Sequence, residues 1–215
     1  MADDYKRPPA GYHKYILAFD SETTGLTWGA DDPSEGHQAI SWGFVVADAH
    51  TLIPIEKLYL EVKWNDESKA TRASDPTFSV KASEIHGLTF EYLEEHGVSE
   101  EAAVIAILEL ILKYWGPANQ IHCLGHNVRS FDIQFLRSTL RRYGAEIKIS
   151  SRCIDSHSVG EALLESYTSD QFFSTMGFTD RSGHNALEDA EQALESVRLC
   201  RVLWNDFVGL KANEA

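Results

Sequence analysis

The chain has 215 residues, enough for one large domain with a sizeable core, and its 43% hydrophobic and 24% charged residues are those of an ordinary globular protein. A formal net charge of −14 excludes a broad basic surface for gripping nucleic acid, so any polyanionic substrate must be held locally, by metal ions and a few donors. Three dispersed cysteines without a CxxC pair point away from a disulfide framework or a thiolate zinc site and towards a reducing cytoplasm, and neither a spanning segment nor a signal-peptide core is expected.

Residues 1–13 are polar and proline-bearing and read as a loosely held lead-in to a domain over 14–207. Tyr15 to Phe19 is an uninterrupted apolar run with aromatic and β-branched members, a strand buried on both faces. Thr27 to His37 reads as a loop. Two alternating runs, Ala39 to Ala47 and Lys57 to Lys63, flank a turn near Asp48 to Pro54 and predict antiparallel strands that continue the sheet. Trp64 to Thr77 is a polar connection.

Ser99, followed by Glu100 and Glu101, predicts the N-cap of a helix that ends at Trp115 before Gly116 and Pro117. Its apolar residues fall nearly all round, which predicts a place deep in the core. Ile121 to Leu124 reads as a short strand, Phe131 to Tyr143 as an amphipathic helix and Ile147 to Ile154 as a last strand. Ser158 to Tyr167 and Asp170 to Met176 are shorter helical stretches. In the final helix Ala186, Ala190, Ala193, Val197, Cys200 and Trp204 form one stripe expected to be buried against the sheet, with Asn185 as N-cap. Residues 208–215 are expected to form a short tail.

Asp20 and Glu22 stand two apart at the end of the first strand and therefore share a face. Alone, such a pair reads as a solvated acidic turn after a core strand. Asp132, opening a helix within GHNVRSFDIQFL, and Asp189, at the edge of the apolar stripe within HNALEDA, belong to segments expected to pack on the same sheet. All four can converge near the carboxyl ends of strands, where open α/β sheets place their sites. Four hard oxygen ligands suit two divalent cations, one activating water and the other stabilising the departing oxygen of a phosphodiester. His184, five residues before Asp189, lies in the loop before that helix, where an imidazole can take a proton at neutral pH.

With these motifs in order, the chain resembles a DnaQ-like exonuclease of the DEDDh group, with the ribonuclease H-like fold. FDSET supplies Asp20 and Glu22, HNVRSFD supplies Asp132, and HNALEDA supplies His184 and Asp189; ASEIHGLT, Ala82 to Thr89, is similar to the family's IHGIT stretch and points to His86. Ser21 departs from the threonine that many members carry between the acids, and its side chain should point away from the metals. The resemblance implies an α/β fold, a three-layer α/β/α arrangement around a central mixed sheet. It also implies 3′→5′ release of nucleoside 5′-monophosphates from single-stranded or frayed ends with two Mg²⁺ or Mn²⁺ ions. Asp20, Glu22 and Asp189 would hold one cation, Asp20 would bridge to the second, and Asp132 would steady that ion. His184 would be the general base. Thr23, Thr24, Gly25 and Leu26 would cradle the terminal nucleotide beside His86, and Asn127 either orders the loop carrying Asp132 or contacts substrate.

Arg137, Arg141 and Arg142 either guide phosphates or form a solvated helix face. Trp28 reads as loop packing in preference to base stacking, and His122 and His126 as structural. DNA is slightly favoured over RNA as substrate, with an exoribonuclease as the alternative. A second class of function, a proofreading subunit or adaptor tethered to a polymerase or another nucleic-acid-processing partner, fits the weak non-specific binding expected of an acidic chain.

Overall fold

The computed structural model describes residues 13–29, 36–64, 84–117, 120–178 and 185–213. Its centre is strand β1, Tyr15–Thr23, buried on both faces along Ile16 to Phe19. Strand β2, Ala39–Asp48, pairs with it antiparallel, and β3, Pro54–Glu61, pairs antiparallel with β2. On the other side β4, Cys123–Gly125, runs parallel to β1, and β5, Ile154–Asp155, parallel to β4. The order β3-β2-β1-β4-β5 makes a mixed five-stranded sheet.

Helices α1, Phe90–His96, and α2, Glu100–Trp115, follow the antiparallel strands; α3, Asp132–Arg142, follows β4. After β5 come α4, Ser156–Leu164, α5, Ser169–Thr175, and the long α6, Ala186–Asn213. Alternation along the strands sorts the core into two layers. Leu17, Phe19, Trp42 and Phe44 face α2 and α3, whereas Ile16, Ala18, Val45 and Ala47 face α5 and α6. Phe19 stacks on Phe44 at 5.4 Å and Phe44 on Trp42 at 5.6 Å, all three fully buried; each such side chain contributes about 1.5–3 kcal/mol by leaving water. The expected three-layer α/β/α arrangement is what the chain adopts.

The expected caps are present. Ser99 accepts from the Ala102 amide at the start of α2 at 3.2 Å, and Asn185 Oδ1 accepts from Leu187 and Glu188 at 3.0 and 3.2 Å at the start of α6. Four expectations are corrected. Helix α2 is not buried all round: Ile105 and Leu112 are each 51% exposed, because the helix covers one face of the sheet and nothing described covers its far side. The strand expected over Ile147 to Ile154 shrinks to Ile154–Asp155 and an isolated bridge between Ile121 and Ile149. Between them the backbone turns to side-chain partners, the Ser151 carbonyl accepting from Arg129 and the Arg152 amide donating to Ser150 Oγ. The stripe on α6 is buried only as far as Val197; Trp204 is 64% exposed because the helix runs past the edge of the sheet. That helix continues through Asn213, into the stretch read as a tail. Residues 1–12 of the lead-in and 65–83, which include most of the polar connection, lie outside the described residues.

Candidate active site

The site forms at the carboxyl end of β1, beside the point where the chain leaves β1 for β2 on one side and returns as β4 on the other. Asp20 and Glu22 lie on the β1 face that packs Ile16 and Ala18 against α6. Across from Asp20 in the sheet stands Gly43 of β2. The first turn of α6 rests on that glycine: a Cβ there would stand roughly 1 Å inside van der Waals contact with the backbone of Ala186 and Leu187. This close approach, together with the Asn185 cap, brings Asp189 down to the strand. Carboxylate oxygens of Asp20, Glu22 and Asp189 lie within 4.8 Å of one another. Glu22 and Asp189 are only 9% and 8% exposed, so water screens little of their mutual repulsion. Three hard, anionic oxygen donors at this separation fit a divalent cation of the Mg²⁺ or Mn²⁺ type.

Asp132 reaches β1 from the opposite layer. Ser21, expected to point away from the metals, points to the strand face opposite Asp20 and Glu22 and there engages one of the four expected metal ligands, its Oγ donating to Asp132 Oδ1 at 2.6 Å. Asp132 is 2% exposed. Burial pushes its carboxyl up to about 7, against the opposing effect of the Ser21 hydrogen bond, and the nearby Asp155 adds repulsion. The structure thus brings three of the four expected carboxylates into one cluster and holds the fourth through the serine between two of them.

Sequence reasoning passed over Asp155. Its Oδ1 accepts from the Asn127 amide at 2.8 Å and from the His157 amide at 3.0 Å, tying the end of β4 to the start of α4. Asn127 has φ +57°, a left-handed conformation that asparagine tolerates, and its Oδ1 accepts from Ser130 Oγ. The loop leading to Asp132 is therefore fixed at both ends. A carboxylate just past a short strand, followed by a serine, was the available signal.

The Thr23 to Leu26 turn is tied inwards. Thr23 Oγ1 donates to the Gly25 carbonyl at 2.8 Å, and Thr24 and Gln38 exchange two hydrogen bonds of 2.9 and 3.1 Å. At Gly25 a Cβ would meet the His37 ring, so that side chain would have to shift to admit one. Leu26 is 60% exposed and offers an apolar face. His86 lies half-buried with Nδ1 accepting from the Leu88 amide at 3.0 Å; Leu88 and Phe90 pack with Ile40 at the start of β2, which sets this segment beside the turn. His184 lies outside the described residues.

Arg142 is a structural clamp. With Glu100 it forms an ion pair between α3 and α2, the two side chains 16% and 6% exposed, and Tyr143 also donates to Glu100. Arg137 and Arg141 line a cleft of about 190 Å³ with Glu146. Trp28 packs edge-on against Phe135 at 6.4 Å. His126 is held among Ser156, His157 and Phe173, and the His122 ring lies tilted against His13 at 5.2 Å.

No family model and no curated relative matches the chain. Solved structures do. E. coli exonuclease I in complex with a dT13 oligonucleotide is similar over 92% of this chain and 43% of its own, with a TM-score of 0.68 and 17% identity. Exonuclease I from Methylocaldum szegediense is similar over 87% and 40%, with a TM-score of 0.63 and 22% identity. A 3′-exonuclease that recognises the 3′ end of a histone mRNA stem-loop is similar over 90% and 83%, with a TM-score of 0.62 and 18% identity. This chain shares its fold with exonuclease I and with that 3′-exonuclease. The chain spans about two fifths of the exonuclease I chains and most of the 3′-exonuclease.

Proposed function

We propose that the chain is a metal-dependent 3′→5′ exonuclease that releases nucleoside 5′-monophosphates from single-stranded or frayed ends, with DNA slightly favoured over RNA. The observation that carries this reading is the meeting of Asp20, Glu22 and Asp189 within 4.8 Å. They come from two distant elements and meet where the sheet opens.

In this reading Asp20, Glu22 and Asp189 would hold a divalent cation, Mg²⁺ or Mn²⁺, and Asp132 would help to hold a second. When bound, the two cations activate water and offset the charge on the departing oxygen. Asp132 must ionise for this, and the Ser21 hydrogen bond both orients its carboxyl and favours the charged form. Leu26 presents its exposed side chain to the terminal base, and the Thr23 to Gly25 backbone lies along the terminal nucleotide beside His86. His184 takes the proton of the attacking water. A grip confined to metals and a short turn suits an acidic chain, which repels the rest of the strand.

The exoribonuclease reading has one observation of its own: a similar structure, matched over 83% of its own chain, is a 3′-exonuclease that recognises a histone mRNA stem-loop. Among the described residues no helix is long and apolar enough to cross a membrane, and the cysteines are free thiols, which suits a reducing cytoplasm. The test uses end-labelled single-stranded DNA, matched RNA, and duplexes with paired or mismatched ends, each with Mg²⁺, Mn²⁺ or chelator. Stepwise mononucleotide release from the 3′ end, abolished by chelator and by Asp189→Ala, is expected. Release that survives Asp189→Ala overturns the assignment, and release from RNA alone selects the second reading.

A further inference from the structure

One flank of α3 is the exception to the repulsion that the rest of this acidic surface exerts on a strand. The stretch from 129 to 152 holds Arg129, Arg137, Arg141, Arg142, Lys148 and Arg152, six of the chain's 19 basic residues. It holds only two of the 33 acidic ones, Asp132 and Glu146. Arg142 is paired with Glu100, and Asp132 is buried. What this stretch shows to water is therefore net positive, in a chain of −14.

The helix lines these charges up. Gln134, Arg137 and Arg141 fall within about 60° of one another, on the side of α3 opposite the buried Phe135 and Leu136. Arg137 and Arg141, one turn apart, open onto the 190 Å³ cleft whose other wall is Ala145, Glu146 and Ile147. Two cations thus face one acid, and neither guanidinium makes a hydrogen bond or ion pair among the described residues. Three residues before Asp132, the exposed Arg129 donates from Nη1 to the neutral Ser151 carbonyl at 2.6 Å, so it keeps its full charge beside the carboxylate site. The row from Arg129 through Arg137 to Arg141 starts at that site and runs down α3. Arg137 lies about 7.5 Å and Arg141 about 13.5 Å along the helix axis from Asp132. A stacked strand advances about 3.4 Å per phosphate, so these distances correspond to about two and four phosphates.

We propose that this row holds backbone phosphates about two to four nucleotides upstream of the bond that is cut, and so makes the reaction depend on strand length. The inference rests on the reading of the carboxylate site as one that cuts nucleic acid. A strand long enough to reach Arg141 gains two charge-assisted contacts, whereas a dinucleotide ends before Arg137 and gains neither. The cleft favours a nucleic-acid backbone over an acidic protein segment. No aromatic residue lines it and its Leu140 is buried, so it lacks the anchors of a protein hot spot, while guanidinium forks grip phosphate at two points and read no base. Such contacts serve DNA and RNA alike.

The test compares the full chain with Arg137→Gln/Arg141→Gln, with Arg137→Lys/Arg141→Lys, and with Lys14→Gln/Lys113→Gln, which removes equal charge elsewhere. Binding of a labelled oligothymidylate of twelve residues is followed by anisotropy with Asp189→Ala added to every chain, so that the strand stays whole. Initial rates on the same strand and on the thymidine dinucleotide are measured with Mn²⁺ in chains that keep Asp189. The Gln pair should bind the long strand about tenfold or more weakly at 0.1 M salt. Its slope of log affinity against log salt should be smaller by about 1.4, two phosphates at about 0.7 each. KM for the long strand should rise by a similar factor with kcat unchanged, and KM for the dinucleotide should not move. The Lys pair should keep most of the affinity and slope. Wild-type binding and slope in the Gln pair, with cleavage intact, overturns the row and leaves the exonuclease reading standing. Binding that depends on the two arginines in a wild-type chain that cuts nothing supports the row and overturns that reading instead. Absence of strand binding even at low salt, an equal loss in the Lys14→Gln/Lys113→Gln chain, or a glutamate dodecapeptide held with the same dependence on arginine would each overturn the proposal.

Discussion

Adding one methyl group at Gly43 should damage metal binding more than it damages folding. The glycine is paired with Asp20, and the backbone of Ala186 and Leu187 occupies the space a Cβ needs. Because the obstruction is backbone, no rotamer change relieves it. The start of α6 must lift by roughly 1 Å, at a cost of about 1–3 kcal/mol of stability in a packed interior. Asp189, two residues beyond Leu187, moves with that turn and leaves the 4.8 Å cluster. Displacing a positioned group by about 1 Å costs on the order of 100-fold in turnover. The assay measures Mn²⁺ affinity by calorimetry and the metal-free melting temperature in Gly43→Ala, Asp189→Ala and the double variant. Metal affinity should fall sharply in Gly43→Ala while the protein still melts cooperatively, and Gly43→Ala should add little once Asp189 is gone. Wild-type affinity in Gly43→Ala, or a full additional loss in the double variant, would refute the reasoning.

Asp132 makes stability depend on pH. Its carboxyl sits at about 7 when folded against an ordinary 3.8, so its contribution in metal-free protein is fully present below the ordinary value and lost as pH rises through 7. Asp132→Asn should remove that slope, gaining on the order of a few kcal/mol relative to wild type by pH 8; melting curves that stay parallel from pH 4 to 8 would contradict this. Arg142→Met leaves Glu100, 6% exposed, buried without its cation, and should cost about 3–5 kcal/mol by denaturant melting, part of which Glu100→Gln restores. If the single variant is as stable as wild type, the clamp is dispensable. Asp155→Ala frees the Asn127 amide and should speed tryptic cleavage after the exposed Arg129; an unchanged rate would show that the loop is held by other bonds.

Local pattern made much of this molecule legible. Tyr15 to Phe19 is apolar without interruption because both faces of β1 are covered, and Ser99 and Asn185 announce their helices because a helix start needs side-chain acceptors. Asp20 and Glu22 share a face by strand geometry alone. What stayed hidden depends on contacts between distant segments. Gly43 looks like an ordinary strand glycine until α6 is laid across it, and Arg142 looks solvated until Glu100 arrives from another helix. The α6 stripe has the same period on and off the sheet, so periodicity could not say where burial stops. Asp132 was expected among the other three carboxylates, yet the residue that engages it is Ser21, on the other face of the strand.

The central claim is that Asp20, Glu22 and Asp189 repel one another until they share a cation. Melting temperatures of wild type, Asp20→Asn, Glu22→Gln and Asp189→Asn, each with chelator and with saturating Mn²⁺, test it most directly. Wild type should gain about 3 kcal/mol at a hundredfold excess over the dissociation constant. Each neutralised variant should melt above wild type in chelator and gain little from Mn²⁺. Variants that melt below wild type in chelator and still gain the full amount from Mn²⁺ would contradict the account.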